Sequence, residues 1–87
     1  MITKKFVVIH NIQKPEHFYN AVEAAMSLGL PEGFSLPIQA RTSDHKKAVV
    51  FWEGPSLEQV KELVEQVVGE FSKNEYYEME VETPSAG

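Results

Sequence analysis

The chain has 87 residues, a length that holds one domain with one modest hydrophobic core. A hydrophobic fraction of 43%, with five Phe, three Tyr and one Trp, excludes a disordered chain, and the lack of Cys excludes disulfides, thiol chemistry and thiolate metal ligands. Thirteen acidic against eight basic residues give a net charge of -5, which argues against nucleic acid and anionic membrane surfaces as partners.

The first predicted element is β1, Lys5-Phe6-Val7-Val8-Ile9-His10, a continuous β-branched and aromatic run of the kind found in a central strand. Its apolar stretch, Phe6 to Ile9, is far shorter than a signal-peptide core or a membrane span, so no membrane is expected and the cytoplasm is the default location. Pro15 then suits a first helical turn, and Phe18, Ala21, Val22, Ala25 and Met26 recur at helical spacing. This is α1, ending near Gly29, which fits a left-handed position after a helix. Phe34 to Arg41 alternates apolar and polar residues as β2, and Pro37 within it places that strand at a sheet edge.

A polar connection, Ser43 to Lys46, leads into β3, Ala48 to Glu53, which the short link makes an antiparallel neighbour of β2. Gly54-Pro55 ends that strand. Ser56-Leu57-Glu58-Gln59 reads as a capping box that opens α2, whose apolar stripe is Val60, Leu63, Val64, Val67 and Phe71. Tyr76 to Val81 alternates as β4, a second edge, and 83–87 is expected to be a flexible tail after a single domain over 1–82. The order is βαββαβ. It predicts an α+β, ferredoxin-like fold: a four-stranded antiparallel sheet with two helices on one face.

Such a sheet starts with one uncovered face, and polarity suggests which residues occupy it. The polar positions Gln39 and Arg41 of β2, Tyr76, Glu78 and Glu80 of β4, and His10 of β1 are assigned to the open side. Phe6 and Val8 share the parity of His10. For β3 the choice lies between Val50 with Trp52 and Val49 with Phe51 and Glu53, and we take Val50 and Trp52. The open face then has an apolar centre of Phe6, Val8, Val50 and Trp52, which a second copy of the chain would cover. That pairing implies a homodimer with a cavity near His10, Arg41, Trp52, Tyr76 and Glu78.

From Phe6 to Val81 the chain resembles the dimeric α+β barrel superfamily. Ser43-Asp44 through Lys46-Lys47, the strand ending in Glu53, and Gly54-Pro55-Ser56 with Glu58 and Val60 are similar to small uncharacterised members that include a nickel-binding group. The resemblance implies two protomers packed through their open sheets around a cavity. Relatives include cofactor-free monooxygenases, heme-degrading enzymes, isomerases and metal binders. Asn11 and Trp52 match strand residues of the heme-degrading branch, but α2 lacks the His that branch needs, so heme is disfavoured.

The candidate ligand-binding residues are therefore His10, Arg41, Trp52, Tyr76 and Glu78, with His10 and Glu78 as the pair for a divalent transition metal. Each also has a plainer role. His10 suits a strand-end hydrogen bond, Trp52 and Tyr76 suit packing, Arg41 suits an ion pair, and the row Glu78, Glu80, Glu82 suits protection of a sheet edge. His17 and His45 read as solvated. The expected function is a small homodimeric protein whose cavity binds an organic molecule or a divalent metal. Alternatives are a cofactor-independent monooxygenase or isomerase, and an interaction protein with no small ligand. RNA recognition motifs share the element order, but Lys46 to Glu53 lacks their basic-Gly-aromatic run. ACT-type amino-acid modules share it too, but Ile12-Gln13-Lys14-Pro15 lacks their Gly-containing loop.

Overall fold

The computed structural model describes the backbone of residues 2–82 and the side chains of residues 5–82. The expected tail at 83–87 lies outside the described residues. The elements are β1 (Ile2–Ile12), α1 (Pro15–Leu28), β2 (Ser35–Arg41), β3 (Lys47–Glu53), α2 (Leu57–Val68) and β4 (Ser72–Glu82). The strands form one four-stranded sheet in the order β2-β3-β1-β4, with every adjacent pair antiparallel. This is the ferredoxin-like α+β fold, with β2 and β4 at the edges as their sequences predict.

Local chemistry sets the boundaries. Pro15 opens α1 without a side-chain cap from Lys14, and Gly29 closes it at φ 86°, a backbone conformation that a Cβ disfavours. Ser56 caps α2: its Oγ accepts the Gln59 N–H at 3.2 Å and donates to Gln59 Oε1 at 3.3 Å. At Gly54 an added Cβ would stand 3.1 Å from both Phe34 and Val60, so the strand break also permits close packing. β2 slips register between Ser35 and Ile38, around Pro37, where the ladder lacks a donor.

Three elements differ in extent from the sequence reading: β1 runs from Ile2 to Ile12 rather than from Lys5 to His10, and β4 and α2 also differ. β4 begins at Ser72 rather than Tyr76 and pairs with β1 over eleven residues, Ile2↔Glu82 to Ile12↔Ser72. Its polar start, Ser72 to Glu75, carries no alternation, and the pairing with β1 imposes the strand. The helix α2 stops at Val68, and Phe71 packs from the connection instead.

The face assignment is reversed. Register partners point to the same side of a sheet, and Phe6↔Trp52, Val8↔Val50 and His10↔Ala48 are partners. These side chains lie under the helices: Val8, Val50, Trp52 and Ala48 join Phe18 of α1 and Val60, Val64 and Val68 of α2 in the buried core. Phe6, Val8, Val50 and Trp52 are therefore not the centre of the open face. That centre is Val7 and Ile9 of β1, Val49 and Phe51 of β3, Ile38 and Ala40 of β2, and Tyr77 and Met79 of β4. The parity relations were sound, but the polar residues used to orient them sit on the covered side.

A candidate cavity between the helices and the sheet

The five ligand-binding candidates do share one face, in three rows across the sheet. Arg41, Ala48, His10 and Asn74 form the first row, Gln39, Val50, Val8 and Tyr76 the second, and Trp52, Phe6 and Glu78 lie in the third. Over the β2–β3–β1 half of these rows, α1, the sheet and the Leu63–Val68 stretch of α2 line a partly open cavity of about 680 Å³. It lies within one chain, between the helix and sheet layers, rather than between two sheets as expected. His10, Arg41 and Trp52 line it, while Tyr76 and Glu78 fall outside its wall on the β4 side.

The cavity follows from how α1 packs. Of its predicted apolar stripe only Phe18 is buried; Val22 and Ala25 are half-buried, and Met26 is 42% exposed. Val22, Ala25 and Met26 face the cavity together with Leu30 and Leu36, so a stripe with core composition looks onto space. The volume is within the range typical of small-molecule sites, roughly 300 to 1,000 Å³, and the lining is mostly apolar with a few polar groups.

His10 forms one wall of the cavity and belongs to a polar network behind it. Its Nδ1 lies 2.6 Å from Asn74 Oδ1, which also accepts the Ser72 hydroxyl at 2.7 Å. An amide oxygen only accepts, so Nδ1 carries the proton and Nε2 is the acceptor of the neutral ring. Asn74 Nδ2 donates to Glu65 Oε2 of α2 at 2.6 Å, and the Tyr76 hydroxyl donates to the same oxygen. Burial holds the His10 pKa below its ordinary value, outweighing the hydrogen bond to Asn74 and the nearby Glu65 charge. Burial works against the ionised form of Glu65, but the hydrogen bonds from Tyr76 and Asn74 prevail and keep its carboxyl acidic. Burial and the Glu65 hydrogen bond push the Tyr76 hydroxyl up.

Register sets the two metal candidates apart along the sheet. His10 is level with Asn74 and Glu78 is level with Phe6, four residues further along β4, or about 13 Å of strand. The His10 Nδ1 is already engaged. Among the described residues no group of three or more His, Cys, Asp or Glu side chains is gathered to hold a metal ion, so His10 and Glu78 do not fit a shared divalent ion.

Trp52 is 6% exposed, packs edge-to-face on Phe34 with centroids 6.3 Å apart, and its indole N–H finds no partner among the described residues. At the other end, Arg41 places its guanidinium 5.5 Å from the ring centre of Tyr19, a residue the sequence reading passed over. Tyr19 also contacts Phe18 and His45, and its hydroxyl is buried with no hydrogen-bond partner among the described residues. Tyr19 is adjacent to the stripe residue Phe18, a position that periodicity places at the margin of the buried face. Asn74 and Glu65 were also missed: one falls before the alternating part of β4, and the other sits on the solvated side of α2.

No protein-family model matches the chain, and neither a curated protein nor a solved structure matches it. Among the described residues no helix is long and apolar enough to cross a membrane.

Proposed function

We propose that the protein is a binding protein for a small, largely apolar organic molecule, held between α1 and the sheet. The observation that carries this reading is the cavity of about 680 Å³, which α1 lines with Val22, Ala25 and Met26. The lining favours an organic occupant over a divalent ion, because it is mostly apolar, His10 and Glu78 are far apart, and among the described residues no group of three or more potential ligands is gathered. The resemblance to dimeric α+β barrel proteins supports a second element of the proposal: two copies pair through the open sheet faces. Around Val7, which the single chain already buries, the half-buried Ile9, Val49 and Phe51 with Ile38 (55% exposed), Tyr77 and Met79 (both 42%) form an apolar surface that a monomer would leave partly wet. Its rim is polar and internally paired, with Lys5 Nζ 3.1 Å from Glu53 Oε2 and Ser35 donating to Glu53 Oε1 at 3.0 Å.

Native mass spectrometry of freshly purified protein tests both elements. The expected spectrum is a dimer that retains, or takes up from a panel of aromatic compounds, one small organic molecule per chain. A monomer at micromolar concentration overturns the pairing. An empty protein that binds no member of the panel overturns the ligand reading.

A further inference from the structure

Where the cavity meets the β2–β3 turn, the side chains change character. Tyr19 and Arg41 line both the main cavity and a smaller pocket of about 240 Å³, and His45 completes the smaller one. The Arg41 guanidinium lies over the Tyr19 ring, and the His45 ring meets that ring at 65° with centroids 5.6 Å apart. The result is a cation, an imidazole and an unsatisfied buried hydroxyl at the junction of two spaces.

The turn that presents them is built rather than loose. Thr42 Oγ1 donates to Asp44 Oδ1 at 2.7 Å and accepts the Lys47 N–H at 3.1 Å, and the Lys46 N–H donates to Asp44 Oδ1 at 3.0 Å. The His45 N–H donates to the Thr42 carbonyl at 2.9 Å, and His45 itself adopts φ 62°, a left-handed conformation that the turn imposes. Asp44, the nearest acid in sequence, is thus committed to its own loop. These hydrogen bonds, the one from Thr42 foremost, hold it below its ordinary pKa. Among the described residues no carboxylate is paired with Arg41.

We infer that the cavity's ligand is a monocarboxylic acid with an apolar, ring-sized body, its carboxylate held at Arg41 with His45 and the Tyr19 hydroxyl, its body lying toward Leu36 and Trp52. The inference rests on the proposed binding of an organic molecule in this cavity and specifies its class. A guanidinium offers paired donors to a carboxylate, and the Tyr19 ring 5.5 Å away gives this one a cation–π partner. The Tyr19 hydroxyl, buried without a partner among the described residues, gains an acceptor when the carboxylate arrives. At the far end the Trp52 indole and Leu36 supply apolar contact.

Trp52 is the only Trp, so its emission reports binding directly. The probes are 1-pyrenebutyrate and 1-pyrenebutanol, which share the ring body and differ in the head group, titrated against the full chain with energy transfer from Trp52 to pyrene as the signal. The acid is expected to bind about ten-fold more tightly than the alcohol, the size of one good charge-assisted contact. Arg41→Gln is expected to weaken acid binding about ten-fold and so remove that preference, and Lys46→Gln to leave the preference intact. Equal affinity for the two probes, a preference that survives Arg41→Gln, or an equal loss in Lys46→Gln overturns the carboxylate assignment while the cavity reading stands. Failure of both probes to bind overturns the two together.

Discussion

The two faces of the sheet invert the usual division of labour. On the face covered by helices, the edge strands carry Arg41, Gln39, Tyr76 and Glu78, whereas on the uncovered face the same strands carry Ile38, Ala40, Tyr77 and Met79. The covered face tolerates polarity because the helices do not seal it at the edges. Toward β2 lies the cavity, and toward β4 the polar side chains reach Glu65 on α2. The uncovered face is apolar to its margins and polar mainly through paired groups such as Lys5–Glu53 and Asn11–Glu75. Burial by the chain's own helices and apolar composition are thus separate properties in this sheet. A face can be apolar because another molecule is to cover it.

Substitutions on the two faces should therefore fail in different ways. The largest loss is expected at Phe18, 3% exposed under α1 and in edge contact with the His10 ring at 5.0 Å. Phe18→Ala should lower unfolding free energy by about 3–5 kcal/mol, read as a shift in urea midpoint. A loss near zero would mean that α1 does not contribute to the core.

Next comes the polar network. Asn74→Ala removes the acceptor of the His10 Nδ1–H and the donor to Glu65, and should cost about 1–3 kcal/mol. The same network sets a pH dependence. Because burial lowers the folded pKa of His10, the unfolded chain binds the extra proton first as pH falls. The stabilisation is complete above the unfolded value near 6.5 and is lost as pH drops from there toward the folded value. Glu65, also lowered, acts in the same direction in the more acidic range below its ordinary value of 4.5. Urea midpoints between pH 8 and pH 5 should decline in the wild type and flatten in His10→Gln; an unchanged slope in the variant would assign the decline to other groups.

How much of this was legible in the sequence differs by level. Strand and helix identity followed from period, and edge placement from Pro37 and from the alternation in β4. The Ser56 cap followed from a four-residue motif. Orientation of the sheet did not follow, because His10 was treated as a solvent-facing polar residue when its partner is Asn74, 64 positions away. A buried histidine with a satisfied Nδ1 and an exposed histidine leave the same mark in a strand. The cavity was illegible for a related reason: the stripe on α1 announces an apolar surface but says nothing of how closely it approaches the sheet. Arg41 and Trp52 were correctly grouped with His10, since parity alone joins them. Tyr76 and Glu78 share the face but not the cavity, since distance along the strand separates them.

A smaller effect is expected at the cap, which touches neither face. Ser56→Ala should cost about 1 kcal/mol through the Gln59 N–H left without its acceptor. An unchanged midpoint would show that this bond adds nothing to α2.

The smallest change in the fold of a single chain is expected from the open face, where the mass should respond instead. Phe51→Lys places a charge at the apolar centre opposite Val7 and Ile38. Sedimentation should give the mass of one chain with an unaltered far-ultraviolet spectrum. A dimer persisting in this variant would move the interface elsewhere.

The sheet order also has a consequence for how the molecule comes into being. β1, made first of the four strands of this sheet, is flanked on one side by β4, made last of the four, over all eleven residues. Until residues 72–82 have left the ribosome, β1 presents a free hydrogen-bonding edge of full strand length, while β3 alone closes its other side. Nascent chains halted before Ser72 should accordingly hold an incomplete sheet and attract chaperones, and the emergence of residues 72–82 should convert that exposed edge into the interior of the domain.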